Sequence, residues 1–310
     1  MGRYILGRVG YMLLTLLIIA TFTFFLMQTL PGSPFNNEEK LSESQRERLY
    51  EKYGLNDPVP VQYVKYMGNL VQGDLGESFQ YDGRSVNSII GSRIGASAFL
   101  GGQAVIFGTV LGLLMGIISA LNHNTFWDYG TMVIAVLGIS IPSFVFAGLL
   151  QYWVGVKLQW LPVAFWDGYE YTILPTISLG VFVVAQIARF MRTEMLEVLG
   201  QDYITTAKAK GISRSAVVIK HTIRNAMIPV ITILGPMTVA LMTGSLVIEN
   251  IFGVPGLGEQ FVKSITTNDY PVIMGITLFF SVLFIGIVLI VDILYGVIDP
   301  RIRLAGGKKA

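Results

Sequence analysis

The sequence has no cysteine and only two histidines among its 310 residues. The absence of cysteine excludes disulfides, thiolate metal sites and cysteine nucleophiles within these residues. The two histidines, His123 and His221, lie on separate polar segments, which argues against a histidine-based metal cage. The sequence therefore predicts no metal site.

Charged residues are also scarce. They make up 14% of the chain, whereas about 25% is usual for a soluble globular domain. Hydrophobic residues make up 53%, and the mean hydropathy is +0.60. The net charge of +2 is too small to indicate a nucleic-acid partner. These values predict an integral membrane protein.

Motifs for nucleotide binding and hydrolysis are missing as well. The sequence contains no GxxxxGK[ST] loop to cradle nucleotide phosphates, and no HExxH or GxSxG pattern. We therefore predict that the chain is not an enzyme and has no cofactor of its own. If it transports actively, the energy must come from a partner.

Six apolar segments are long enough to cross a bilayer, since about 20 helical residues span its hydrocarbon core. They cover residues 9–27, 96–121, 130–156, 172–190, 228–248 and 272–295. Both termini and the segment after the fourth span are basic and fall on the same side, so all three are predicted to be cytoplasmic. A cleaved signal peptide is the alternative for the first segment, but its apolar run is longer than the usual ~7–15 residues.

Two features within the spans predict how they pack. Gly108, Gly112 and Gly116 recur every fourth residue, which predicts a smooth ridge for close contact with another helix. Pro142 lies inside the third segment and predicts a kink, because proline removes one helical hydrogen bond.

Residues 31–95 predict an extracytoplasmic insert with amphipathic helices. Ser42 begins a capping-box pattern, and Gly54 marks the end of that helix. After a proline-rich break, Val61, Val64 and Val71 share one face, which predicts an amphipathic helix at the membrane interface.

The basic segment before the fifth span predicts two helices joined at an angle. Residues 203–210 form the first, Gly211 ends it, and Ser213 caps a second that runs to about residue 227. Ile204, Ala207 and Gly211 share a mostly small face, which would allow another protein to come close. The alternative is a solvated, positive-inside loop without a partner.

This segment resembles the coupling loop of ABC importer permeases, and more narrowly that of the oligopeptide/dipeptide permease family. Thr205 and Thr206 stand where the general motif has Glu and Ala, a departure that is usual in the peptide branch. The residues that carry the resemblance are Asp202, Tyr203, Thr206, Ala207, Ala209, Lys210, Gly211, His221, Arg224, Asn225, Ala226 and Pro229.

The resemblance implies a type I ABC importer permease, of the kind with a long outer loop after the first span. It implies three domains: residues 1–30, with the N-terminal tail and first helix; the insert 31–95; and the core 96–310, with its coupling loop at 193–228. The residues implied to couple to an ATPase are Tyr203, Ile204, Thr206, Ala207, Lys208, Ala209, Lys210 and Gly211.

The implied partners are a second permease, two cytoplasmic ATPases that hold ATP and Mg²⁺, an extracytoplasmic solute-binding protein, and membrane lipid. The implied location is a bacterial cell membrane, and the implied solute is a peptide. Permeases of the same family for nickel chelates, glutathione or another small solute are an open alternative. A secondary carrier would need paired intramembrane charges, whereas Asp292 is a single acid near the end of a span.

Polar side chains within the spans are the candidates for the translocation path, because such groups usually face protein or water. Glutamine amides both donate and accept, so they could meet a peptide backbone. Hydrogen bonding between helices is the alternative for each. The candidates are Gln103, Ser140, Gln151, Gln186, Thr238 and Thr243.

Overall fold

The computed structural model describes residues 2–30, 33–35 and 42–298, and the side chains of residues 6–30, 33–35 and 42–290 among them. The predictions for the basic tail after residue 298 and for the Asp292 side chain lie outside this part of the chain. The first half contains α1 (Gly2–Thr29), α2 (Glu43–Lys52), α3 (Val59–Val71), α4 (Val86–Leu121), α5 (Phe126–Ser140) and α6 (Ser143–Leu150). The second half contains α7 (Glu170–Leu199), α8 (Asp202–Ala209), α9 (Arg214–Ala216), α10 (Arg224–Met242), α11 (Leu246–Phe252), α12 (Leu257–Thr266) and α13 (Tyr270–Ile298).

The predicted membrane spans largely match single helices. Within the described residues, five helical stretches are long and apolar enough to cross a membrane, and a bent helix pair makes a sixth if it counts as one span. Helix α4, which contains the second predicted span, begins at Val86, ten residues before the predicted start at 96. Its first turns contain the polar residues Asn87, Ser88 and Arg93, so hydropathy alone does not show where the helix begins.

The kink predicted at Pro142 is present, but it is a break between two helices. The chain bends by 103° between α5 and α6. Ile141 is extended (φ −82°, ψ 120°), as the residue before a proline prefers, and Pro142 is the N-cap residue of α6. The helix then continues as a π-helical turn, Gln151–Lys157. Pro142 therefore separates two helices.

The fifth predicted span also needs correction. The second helix of the basic segment was expected to end near residue 227, yet one helical stretch runs from Arg214 to Met242 through a π-helical turn, Val217–Ile223. Pro229 and Pro236 lie inside it. Prolines are tolerated in membrane helices because neighbouring groups satisfy the freed carbonyls. The span therefore starts earlier and ends before the predicted residue 248.

The chain divides into two compact units. The first unit comprises residues 1–95 and 256–310. In it, Val86, Ile89 and Ile90 from the start of α4 form a buried cluster with Leu257, Val272 and Ile276. Phe24 of α1 stacks on Tyr66 of α3 with 5.4 Å between ring centroids. The predicted helix with the valine face is present as α3, and that face is exposed, including Val64 and Val71.

The polar segment 42–79 of the first unit is fixed by a buried carboxylate. Asp269 accepts a hydrogen bond from Ser78 Oγ at 2.5 Å and another from the Phe79 backbone N–H at 3.0 Å. Burial raises the pKa of Asp269, and these hydrogen bonds partly offset that effect. In the same segment, the Gln45 side chain accepts from the Ser42 backbone N–H at 3.0 Å, and Gly54 adopts a left-handed φ of +67° after α2.

The second unit comprises residues 96–255, and within it α4 packs closely against α7. A Cβ atom built on Gly108 would lie 2.4 Å from Val183 Cβ, one on Gly112 would lie 2.8 Å from Ile187 Cβ, and one on Gly116 would lie 2.7 Å from Met191 Cβ. These distances confirm the predicted glycine ridge. Without side chains at these positions, the helices approach closely enough to gain van der Waals contact, which is the main source of helix association in lipid.

Candidate coupling helix and translocation wall

The predicted first helix of the basic segment is present as α8. Gln201 before it is extended, and Gly211 after it has a φ of +74°, as predicted. The Gly211 N–H donates to Lys208 O at 3.0 Å, and the Ile212 N–H donates to Ala207 O at 3.3 Å. This pair of bonds is a Schellman motif, which requires a left-handed residue that glycine adopts without a Cβ clash.

The small face of α8 is turned inward, not outward. Ile204 is fully buried and Ala207 is 6% exposed, and both pack with Val217 and Val198. Ile204 and Ala207 therefore do not form an exposed small face, and their coupling to an ATPase stays a prediction. These side chains hold α8 against the end of α7 and the π-helical turn before α10.

The opposite face of α8 is free to meet a partner. Tyr203 is 45% exposed, and its hydroxyl accepts a hydrogen bond from Asn225 Nδ2 at 3.2 Å, which ties α8 to α10. The Ser213 Oγ accepts from the Ala216 N–H, so the predicted cap is present. The other exposed positions from the start of α8 to Gly211 are Asp202, Thr205, Thr206, Lys208, Ala209, Lys210 and Gly211.

Four of the six translocation candidates bond within the chain. Gln103 on α4 accepts from Thr176 Oγ1 on α7 at 3.0 Å. Gln151 donates to the carbonyls of Val163 and Ile251 at 2.7 and 3.2 Å. Thr238 and Thr243 each donate to a carbonyl of their own helical stretch. The structure thus gives these four side chains structural partners.

The remaining two candidates are positioned differently. Ser140 is exposed at the end of α5, directly before the break at Pro142, and Gln186 is half-buried on α7. A cavity of about 600 Å³ adjoins the break, between α5, α6, α7 and α10. Its lining is mostly apolar, with hydroxyls only from Ser143, Ser178 and Ser245. The sequence analysis did not predict this cavity, because the aliphatic side chains that line its wall resemble ordinary lipid-facing residues.

Groups that could hold a metal are not found in the described ranges: no three His, Asp or Glu side chains come together there. Acidic and basic groups instead pair in small networks. Arg93 bonds to Glu259 in the first unit, and Asp128 bonds to Arg192 in the second.

Two family descriptions cover most of the chain. Residues 109–304 match the family described as binding-protein-dependent transport system inner membrane component, and residues 1–92 match the N-terminal component of the same systems. The chain belongs to this family. It is a multi-pass membrane protein with the helical architecture of a type I ABC importer permease.

The curated relatives that the chain resembles are permeases of peptide transport systems. The chain is 46% identical over 304 residues to the dipeptide transport system permease protein DppB of Bacillus subtilis, covering 98% of this chain and 99% of that protein. It is 41% identical over 305 residues to the oligopeptide transport system permease protein OppB of Escherichia coli, covering 98% and 100%. A crystal structure of an amino acid ABC transporter with histidines aligns with a TM-score of 0.54 at 15% identity, over 67% of this chain and 93% of that one, which shows the shared fold.

Proposed function

We propose that this chain is one of two permease subunits of an ATP-driven importer that carries dipeptides or oligopeptides into a bacterial cell. The observation behind the proposal is α8, a short helix seated on its own chain by Ile204 and Ala207, with a polar and basic outer face. Its Schellman end and its hydrogen bond from Asn225 give it a fixed orientation.

In this proposal α8 inserts into a groove of a cytoplasmic ATPase. A second, related permease completes the path, two ATPases supply ATP and Mg²⁺, and an extracytoplasmic solute-binding protein delivers the solute. This chain performs no hydrolysis itself. Both termini and α8 lie in the cytoplasm, in agreement with the basic residues that they carry.

Closure of the ATPases would pull α8 and, with it, the helices that it contacts. Val198 lies near the end of α7, and Val217 lies at the beginning of the stretch that leads into α10. Both α7 and α10 line the apolar cavity, so their displacement would change its opening.

Cross-linking tests the orientation of α8. Because the chain has no cysteine, a single introduced cysteine gives a unique site. Lys208→Cys, on the exposed face, should cross-link to the ATPase in the assembled complex, whereas Ala207→Cys, one residue earlier on the buried face, should not. Cross-linking at Ala207→Cys with none at Lys208→Cys would contradict the proposed docking face.

The solute is tested by uptake into proteoliposomes that contain the complete complex and its binding protein. ATP-dependent uptake of a labelled dipeptide or tripeptide, competed by unlabelled peptide, would support a peptide importer. Uptake of nickel chelates or glutathione without peptide uptake would favour the alternative solutes. Uptake that depends on a proton gradient without ATPases would indicate a secondary carrier.

A further inference from the structure

A buried carboxylate joins the turn between α4 and α5 to α7. Asp128, in the first turn of α5, is fully buried. Its Oδ1 accepts from Arg192 Nε at 2.7 Å, and its Oδ2 accepts from Arg192 Nη2 at 2.8 Å. Ser119 Oγ, near the end of α4, donates at 2.5 Å, and the Asn124 N–H donates at 2.9 Å. We name this group the Asp128 clasp.

His123 completes the clasp at its exposed edge. Its Nδ1 lies 3.0 Å from Asp128 Oδ2 and 3.2 Å from Arg192 Nη2. Helix α4, its following turn, α5 and α7 therefore converge on one carboxylate. A bidentate pair between guanidinium and carboxylate fixes both distance and angle.

Among the residues that the structure describes, no other side-chain hydrogen bond or ion pair joins α5 to α7. The rest of the contact between these helices is built around the small side chains of Ala135, Ala185 and Ala188, and a Cβ on Gly138 would lie 3.0 Å from Val181 Cγ1. Small apolar surfaces pack closely but allow packed helices to slide by shear. The clasp is therefore what resists sliding of α5 along α7.

The clasp lies between α8 and the cavity wall. Arg192 and Val198 are on the same helix, and Val198 packs against Ile204 and Ala207 of α8. At its other end α5 leads directly to Ile141 and Pro142, which line the apolar cavity. A displacement of α8 can thus travel through α7, across the clasp, and along α5 to the cavity.

We propose that Asp128 and Arg192 are positioning residues that couple the movement of α8 to the cavity wall. They contact neither the solute nor ATP, and they act by keeping α5 in register with α7. The inference rests on the proposed function, in which α8 receives force from an ATPase.

The test measures ATP hydrolysis and peptide uptake together, in proteoliposomes that contain the assembled transporter and its binding protein. Asp128→Asn and Arg192→Gln should still assemble and hydrolyse ATP, but the peptide imported per ATP should fall roughly fivefold or more, the lower range for coupling between two sites. Arg189→Gln is the matched control, because Arg189 is exposed on the same helix and has no ion pair with the residues that the structure describes. Its ratio should equal that of the wild type.

A merely structural role would lower assembly and hydrolysis in proportion to uptake and leave the ratio unchanged, which would overturn the inference. If Asp128→Asn does not assemble, Arg192→Lys decides the matter, since lysine keeps the charge but loses the bidentate geometry. A reduced ratio for Arg192→Lys supports the clasp, and a wild-type ratio overturns it. A wild-type complex without ATP-dependent uptake would instead refute the proposed function.

Discussion

Two neighbouring glycines on α4 have opposite surroundings, which allows a matched test of how α4 packs against α10. A Cβ on Gly101 would lie 2.2 Å from Leu241 O and 2.6 Å from Met242 Cα, whereas a Cβ on Gly102 would meet nothing within 4 Å. Because the atoms facing Gly101 belong to the backbone, no side-chain rotation can relieve the clash. Alanine at position 101 must therefore push the two helices apart by about 1 Å, since packed interiors have almost no spare space.

The two substitutions differ only in this contact. Overpacking of this kind usually costs about 1–3 kcal/mol, while replacing an exposed helical glycine with alanine stabilises the helix by about 1 kcal/mol. Both variants gain the helix term, but only Gly101→Ala has the clash. The free energy of unfolding should therefore be about 1–3 kcal/mol lower for Gly101→Ala than for Gly102→Ala.

The assay is thermal unfolding of the two variants and the wild type in the same detergent. The unfolding entropy grows with chain length, by about 2.1 cal/mol/K per residue, so 1 kcal/mol corresponds to about 1.5 °C for a chain of 310 residues. The apparent melting temperature of Gly101→Ala should therefore be lower than that of Gly102→Ala by roughly 1.5–5 °C. Equal melting temperatures would show that α4 and α10 do not approach this closely. That result would refute the described packing of the second unit.

Two further predictions concern the end of α8 and the buried carboxylate of Asp269. Gly211→Ala should strain the left-handed end of α8, where φ is +74°, by about 1–2 kcal/mol. Local opening should then be more frequent, so trypsin should cleave after Lys208 or Lys210 roughly fivefold to thirtyfold faster. Gly200→Ala is the control, because Gly200 has a φ of −82°, and it should not change the cleavage rate. Burial raises the pKa of Asp269, so its contribution to stability is fully present below the unfolded-state pKa and is lost as the pH rises through the folded-state value. Asp269→Asn should therefore reduce the fall in melting temperature across that pH range, and an unchanged pH profile would contradict the assignment.

Local chemistry made several features predictable from sequence alone. Gly211 and Ser213 act through their own backbone neighbours, so their roles as helix end and helix cap could be recognised without a fold. The ridge of Gly108, Gly112 and Gly116 follows from helical periodicity, and the structure places α7 against it. Hydropathy likewise located most spans, because bilayer thickness fixes their minimum length.

Features that depend on tertiary contacts were not predictable in the same way. The inward orientation of Ile204 and Ala207 depends on Val198 and Val217, which lie on other helical segments. A small, amphipathic pattern looks the same whether its apolar side packs on its own chain or on another protein. The Asp128 clasp was also missed, because nothing in the spacing of Asp128 and Arg192 indicates that they meet.

The effect of each proline on its helix was also not predictable from sequence alone. Pro142 separates two helices at an angle of 103°, while Pro229 and Pro236 lie within a continuous helical stretch. Each proline lacks a backbone N–H donor, yet only Pro142 marks a break, so the residue alone does not determine the outcome. Neighbouring groups decide whether the helix continues, and those are known only from the fold.

The bonding of the polar candidates bears on how a transporter of this kind selects its solute. Gln103 and Gln151 already bond to other segments of the chain, and the cavity beside Pro142 has an aliphatic lining with a few serine hydroxyls. Such a wall has few free groups to distinguish one peptide side chain from another, since strong discrimination requires buried polar groups that a wrong solute leaves unpaired. A largely apolar wall suits the passage of solutes that share a backbone but differ in side chains. We therefore expect selection to take place mainly on the solute-binding protein, and substitutions such as Ser143→Ala to change the rate of uptake more than the choice of peptide.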